Sequence, residues 1–167
     1  MRKPLLGLVV AVVSALLLTG CSGVADMTPE EAYEEVEDRA GETAAAVFHN
    51  RLHAWSRGEE PCRFWGRSNN YRLRHRYEIT NSSFFTNADL IADARDYWRE
   101  EGHRITSERT TGGHLREVVA VDSDGFRLRA FQNDHGDLYL HVVSPCLEPE
   151  PFDVEEYLER HRQPSGW

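Results

Sequence analysis

The chain has 167 residues, with 19 basic against 28 acidic side chains and a formal net charge of −9 with histidines neutral. Such an acidic balance argues against non-specific nucleic-acid binding through bulk charge. The length suits a single domain around one core.

The first residues are basic, Arg2 and Lys3, and Leu5 to Leu18 is an uncharged stretch almost wholly of Leu, Val and Ala. That is the n-region and h-region of a signal peptide. An apolar run of about 14 residues falls short of the roughly 20 a permanent transmembrane helix needs, so the segment reads as transient. Leu18-Thr19-Gly20-Cys21 closes it, an aliphatic residue and two small ones before a cysteine, and this resembles the bacterial lipobox. The resemblance implies that residues 1–20 are removed and that the Cys21 thiol carries diacylglycerol. The domain would then be held at the extracytoplasmic face of the cell membrane, because each buried methylene contributes about 0.8 kcal/mol. The alternatives are an ordinary secretory signal with a chance cysteine, or an uncleaved anchor.

Residues 21–27 form a short tether. Thr28-Pro29-Glu30-Glu31 is a helix start, with Thr28 as cap, Pro29 in the first turn and Glu31 completing a capping box. Tyr33, Val36, Ala40, Ala44, Val47, Phe48, Leu52 and Trp55 continue at helical spacing, which predicts one long amphipathic helix to about Trp55. Its other face carries Glu30, Glu34, Glu35, Glu37 and Asp38. Arg57 to Asn70 reads as a loop, and Tyr71 to Thr80 alternates as a half-buried strand. A second helix is predicted from Ala88 to Glu101, capped by Thr86 with Asp89 and ended by Gly102. Four strands in a meander follow, near 103–109, 114–121, 126–132 and 138–144, with Gly- and Asp-rich turns between them. Residues 147–167 are an acidic, proline-containing tail, either a short helix or disordered.

The expected fold is α+β over residues 28–146. Two main helices pack on one face of a mainly antiparallel five-stranded sheet. With Cys21 taken by lipid, Cys62 and Cys146 read as one disulfide in an oxidising compartment. A reactive thiol pair is the alternative, without the close Cys-x-x-Cys spacing that chemistry favours.

The lipobox cysteine, the long first helix, the cysteine before a strand, the capped helix, the Asp124-Gly125-Phe126-Arg127-Leu128 turn and the cysteine ending the last strand together resemble the LppA-like lipoproteins of mycobacteria and their actinobacterial relatives. The resemblance spans roughly Thr28 to Cys146. It implies an envelope lipoprotein with one disulfide, and it brings no catalytic motif to carry over.

Four groups of residues have chemistry to weigh. His49 and His53 stand at i and i+4 of the predicted helix, a spacing that chelates Zn²⁺ or Cu²⁺, with His75 or His141 as possible third ligands. The Glu of His-Glu-x-x-His is missing, so metal-dependent hydrolysis is not supported. Asp122-Ser123-Asp124-Gly125 begins like a calcium loop but lacks the later bidentate Glu, and a hairpin turn explains it. Arg72, Arg74 and Arg76 share one strand face and Arg127 and Arg129 another. Were those strands neighbours, they would form a basic patch suited to phosphate or carboxylate. The plainer reading is a solvated sheet face paired with nearby Asp and Glu. Trp55, Trp65, Phe84, Phe85 and Trp98 would line an apolar cavity or simply fill the core.

No nucleophile lies in a recognisable motif and no Gly-rich phosphate loop is present. The expectation is therefore a non-enzymatic, membrane-tethered envelope module without a cofactor, binding a protein or a small anionic ligand. The runners-up are an envelope enzyme built around His49, His53 and His141, and a carrier of lipid or small ligands.

Overall fold

A computed structural model describes residues 25–49, 51–62, 70–80, 85–149 and 153–161. In chain order these form α1 (Pro29–Ala46), β1 (Leu52–Pro61), β2 (Tyr71–Ile79), α2 (Asn87–Glu100), β3 (Arg104–Thr111), β4 (His114–Val121), β5 (Arg127–Gln132), β6 (Leu138–Val143) and α3 (Val154–His161). The strands make one six-stranded sheet in the order β1-β2-β6-β5-β4-β3. Every neighbouring pair is antiparallel. After β2 the chain crosses through α2 to the far edge, and the meander β3 to β6 returns hairpin by hairpin until β6 docks against β2.

The α+β class, the antiparallel sheet and the Cys62–Cys146 disulfide are all present. The described residues hold six strands and three helices, however, rather than five and two. The largest departure lies after Ala46. The first helix stops there, Val47 caps it, and His49 turns the chain at φ 53. Leu52 to Pro61, expected as the last helical turn and a loop, is instead an edge strand paired with β2. Its side chains are exposed or half-buried throughout, so neither period dominates its sequence. Its few apolar residues also fit a helical spacing. The β2 strand is consequently internal, between β1 and β6. In the tail, Val154–His161 is helical.

Both long helices begin as their sequences dictate. Thr28 Oγ1 accepts from the Glu31 amide at 3.2 Å while Glu31 Oε2 accepts from the Thr28 amide at 2.8 Å. Thr86 and Asp89 repeat the arrangement. Each such cap satisfies amides that the first helical turn leaves open. Gly102, at φ 81, ends the second helix turn.

The helices cover one sheet face. Val36 and Ala40 of α1 and Ile91, Ala94 and Trp98 of α2 meet Tyr77, Val118, Leu128, Leu140 and Val142 in one core. Trp98 is wholly buried and donates to Thr43 Oγ1 at 3.2 Å, tying α2 to α1. A smaller cluster of Ala32, Tyr33, Leu73, Leu147 and Tyr157 brings α3 onto the same side. Arg39 of α1 clips the β4–β5 turn by ion pairs to Asp122 at 2.6 Å and Asp124 at 2.9 Å.

The disulfide joins the residue after β1 to a residue beyond β6, with Cα atoms 6.1 Å apart and a sequence separation of 84. The N-terminal segment meets the same place, since the Ala25 amide donates to the Cys146 carbonyl at 2.8 Å. Among the described residues no helix is long and apolar enough to cross a membrane.

Candidate functional site

Alternation along β2, β6 and β5 sends one set of side chains into the helix-covered core and the other to the opposite face. Arg74 pairs with Val143 and Arg76 with His141 across β2–β6. Val143 pairs in turn with Arg127, and His141 with Arg129, across β6–β5. The two arginine-bearing strands are therefore not neighbours. They flank β6, and Arg74, Arg76, Arg127 and Arg129 stand on either side of His141 and Val143. Together with Glu60 these residues line a cleft of about 170 Å³. Arg72 lies one alternation further along β2, opposite Glu60, and is not part of that lining.

Arg129 is ion-paired to Glu117 at 2.7 Å, and Glu117 also meets Arg109 at 3.3 Å. Burial raises the Glu117 carboxyl, but the hydrogen bonds and charge of Arg129 and Arg109 outweigh it and hold the group below its ordinary value. Among the described residues no carboxylate forms an ion pair with Arg74, Arg76 or Arg127. The Nε atoms of Arg72, Arg74 and Arg129 are buried without a hydrogen-bond partner. A buried donor left unmet has a cost that an incoming acceptor removes.

His141 registers the field of the cleft. Burial comes first and the Arg76, Arg129, Arg74 and Arg127 charges follow, together pushing the imidazole down to about 3. It is neutral at physiological pH, with Nε2 accepting a short hydrogen bond from Arg76 Nε.

Beside the arginines runs an aromatic row. Trp55, 55% exposed, sits 5.3 Å from Tyr139, and Tyr139 stacks on Phe131 at 5.5 Å. Arg76 lies over the Trp55 ring at 4.9 Å and Arg129 over Phe131 at 4.1 Å. Aromatic faces attract guanidinium groups, so the two rings help to hold these arginines at the cleft.

The remaining candidates separate. Without a helix beyond Ala46, His49 sits in a turn and His53 on β1 opposite Glu78, so the i, i+4 chelate does not form. Among the described residues no group of three or more His, Cys, Asp or Glu is placed to hold a metal ion. The Asp122 and Asp124 carboxylates are engaged by Arg39, and Asp122 Oδ1 also accepts from the Asp124 and Phe126 amides. Trp98 fills the core, Phe85 is largely exposed and Trp55 belongs to the row beside the cleft, so these three line no common cavity. Trp65 and Phe84 lie outside the described residues, as do residues 1–24, including Cys21.

One polar cluster was not foreseen. On the helix side, His75 Nδ1 lies 2.8 Å from Glu37 Oε1, which also receives Arg57 Nη2 at 3.1 Å. Tyr77 OH is 3.3 Å from the same imidazole nitrogen, and the Tyr33 ring packs edge-on to His75 at 4.6 Å. Burial raises the Tyr33 phenol to about 12. For Glu37, burial acts upward, but hydrogen bonding and charge from His75 with help from Arg57 and Tyr77 keep the carboxyl below its ordinary value. His75, Arg57 and Tyr77 all meet the one Glu37 carboxylate, so the cluster is a structural network joining α1 to β1 and β2. Its only visible trace in sequence is His75 on the inward face of a strand that otherwise reads as apolar.

Family models, curated protein sequences and solved structures contain none that matches this chain.

Proposed function

We propose that the protein is a lipid-anchored, extracytoplasmic envelope module without catalytic activity, which binds an anionic group, phosphate or carboxylate, on the open face of its sheet. The observation that carries the reading is the convergence of Arg74, Arg76, Arg127 and Arg129 on one cleft around neutral His141, three of them with no carboxylate ion pair among the described residues. Arginine forks match two oxygens of a phosphate or carboxylate at once, which suits this ligand class better than a spherical anion such as chloride. The address rests on the lipobox at Leu18 to Cys21 and on the likeness to the LppA-like lipoproteins. Replacing Cys21 by Ser is expected to abolish incorporation of labelled fatty acid and cleavage before residue 21, and acylation that persists in the variant refutes the address.

Binding is tested by titrating inorganic phosphate at constant ionic strength and following the amide and guanidinium resonances of β2, β5 and β6. Saturable shifts in wild type that vanish in the Arg74→Ala/Arg127→Ala double variant support the reading. Shifts that persist in that variant, or that chloride reproduces, sink it. His49, His53 and His141 stand apart, in a turn, on an edge strand and among the cleft arginines, which supports the anion-binding reading over an enzyme built on the three.

A further inference from the structure

We propose that the arginine cleft docks the domain face-down on the membrane that carries its anchor, seating the phosphate of an anionic phospholipid headgroup. The inference rests on the lipobox reading of Cys21 and deepens the anion-binding reading by naming the source of the anion.

The first argument is reach. Ala25 is fixed against Cys146 by its amide hydrogen bond. Cys21 stands four residues earlier, a span of at most about 14 Å. Cys146 is three residues beyond Val143, which lies in the cleft, a further distance of about 10 Å at strand spacing. With about 5 Å for the hydrogen-bonded step from Ala25 to Cys146, the anchor lies within about 30 Å of Val143 in the cleft. The cleft also lies toward the same end of the sheet as the anchor, because β2 and β5 begin there and β6 ends there.

The second argument is charge asymmetry. The chain is acidic overall, and an acidic protein is repelled by an anionic surface unless its charge is segregated. It is: Glu30, Glu34, Glu35, Glu37 and Asp38 are on α1, on the helix side, and Glu155 and Glu156 are on α3. On the other face the register puts Arg104 and Arg109 with the five arginines of β2 and β5, against Glu60, Glu78 and Glu117. The resulting dipole turns the arginines toward a negative surface and the helices away from it.

The third argument is the shape of the rim. A cleft of about 170 Å³ accepts one phosphate group. Beside it Trp55 and Tyr139 offer amphipathic rings of the kind that settle at headgroup depth. The acyl anchor already supplies retention, so the consequence of docking is orientation: α1 and α3 are presented outward.

The test uses the mature chain from residue 21 carrying Cys21→Ser, so that binding cannot come from the acyl chains. It is sedimented with vesicles of phosphatidylcholine alone and with vesicles containing 30% phosphatidylglycerol. Binding is expected only to the second set and falls as salt is raised. Arg74→Ala/Arg127→Ala weakens it about thirtyfold, at about 1 kcal/mol for each arginine near an anionic surface. The Lys double variant, which keeps the charge, retains most of it. Thermal unfolding of each variant in phosphate-free buffer checks that the fold is intact.

Equal binding to both vesicle types overturns the proposal, as does loss of binding in the Lys variant with its fold intact. Phosphate binding without vesicle binding overturns membrane docking while leaving the anion site standing, and loss of both ends both readings. Preference for a soluble acidic polysaccharide, polygalacturonate, over the phosphatidylglycerol vesicles likewise overturns docking.

Discussion

Arg76 donates from Nε to Nε2 of His141, a bond that only neutral imidazole accepts. With burial and four guanidinium groups holding the imidazole at about 3, the folded protein binds this proton far less readily than the unfolded chain. A depressed histidine stabilises the fold fully above its ordinary value of about 6.5 and progressively less as pH falls toward 3. At pH 5 the difference amounts to roughly 2 kcal/mol for this one group. Urea unfolding of wild type and His141→Gln at pH 7.5 and pH 5 measures it. Wild type should lose more stability than the variant across that interval, and parallel losses would refute the assignment.

The arginines around His141 repel one another, so their cost to the fold and their use to a ligand are separable. Arg127→Ala is expected to leave stability unchanged or to raise it by up to about 1 kcal/mol in dilute buffer, because it removes an unpaired charge from a positive cluster. Phosphate should raise the Tm of wild type, since a ligand bound only to the folded state stabilises it by mass action. In Arg127→Ala that rise should shrink by at least half. Scanning calorimetry with and without phosphate reads both quantities.

The arginines were legible in the sequence as faces, since alternation in Tyr71–Thr80 and Phe126–Gln132 places them on one side of each strand. That β6 lies between those strands was not legible. Strand order in this sheet depends on the return of the meander to β2, a contact across 59 to 69 positions. His141 correspondingly reads, from sequence, as a metal or catalytic residue, because nothing local shows the four charges that surround it. The caps Thr28–Glu31 and Thr86–Asp89 were readable because their physics is complete within four residues. β1 was not, because an edge strand with exposed or half-buried residues on both sides carries no strong alternation, and Leu52 and Trp55 happen to extend the helical spacing of α1.

The Cys62–Cys146 bond closes a long loop that contains β2, α2 and the whole meander. In the loop-entropy model such a closure stabilises by about 4 kcal/mol, a large fraction of the stability of a domain this size. Cys62→Ser/Cys146→Ser should shift the urea midpoint down by the corresponding amount, and dithiothreitol should do the same to wild type. Because the bond lies beside the hydrogen bond from Ala25 to Cys146, hydrogen exchange at Ala25 and Leu147 should rise before that of β4. Uniform acceleration would show that the bond acts only through the unfolded chain.

Glu37 joins three elements through one carboxylate: it belongs to α1, pairs with Arg57 on β1 and accepts from His75 on β2. β1 has a single strand neighbour, so this link from the helix layer adds to the pairing with β2, the Trp55–Tyr139 contact and the disulfide that follows the strand. Glu37→Gln keeps the shape but presents an amide where donors converge, and should cost about 1–3 kcal/mol. The loss should be local, with amide exchange in Leu52–Pro61 accelerating more than in His114–Val121. Its pH dependence has a fixed sign. The folded carboxyl lies below its ordinary 4.5, so the stabilisation is present above that value and lost as pH falls through the lower folded one. The stability gap between wild type and Glu37→Gln should therefore be full at pH 7 and narrow toward pH 3. A gap independent of pH would mean that packing, and not the charge on Glu37, holds β1 to the helix.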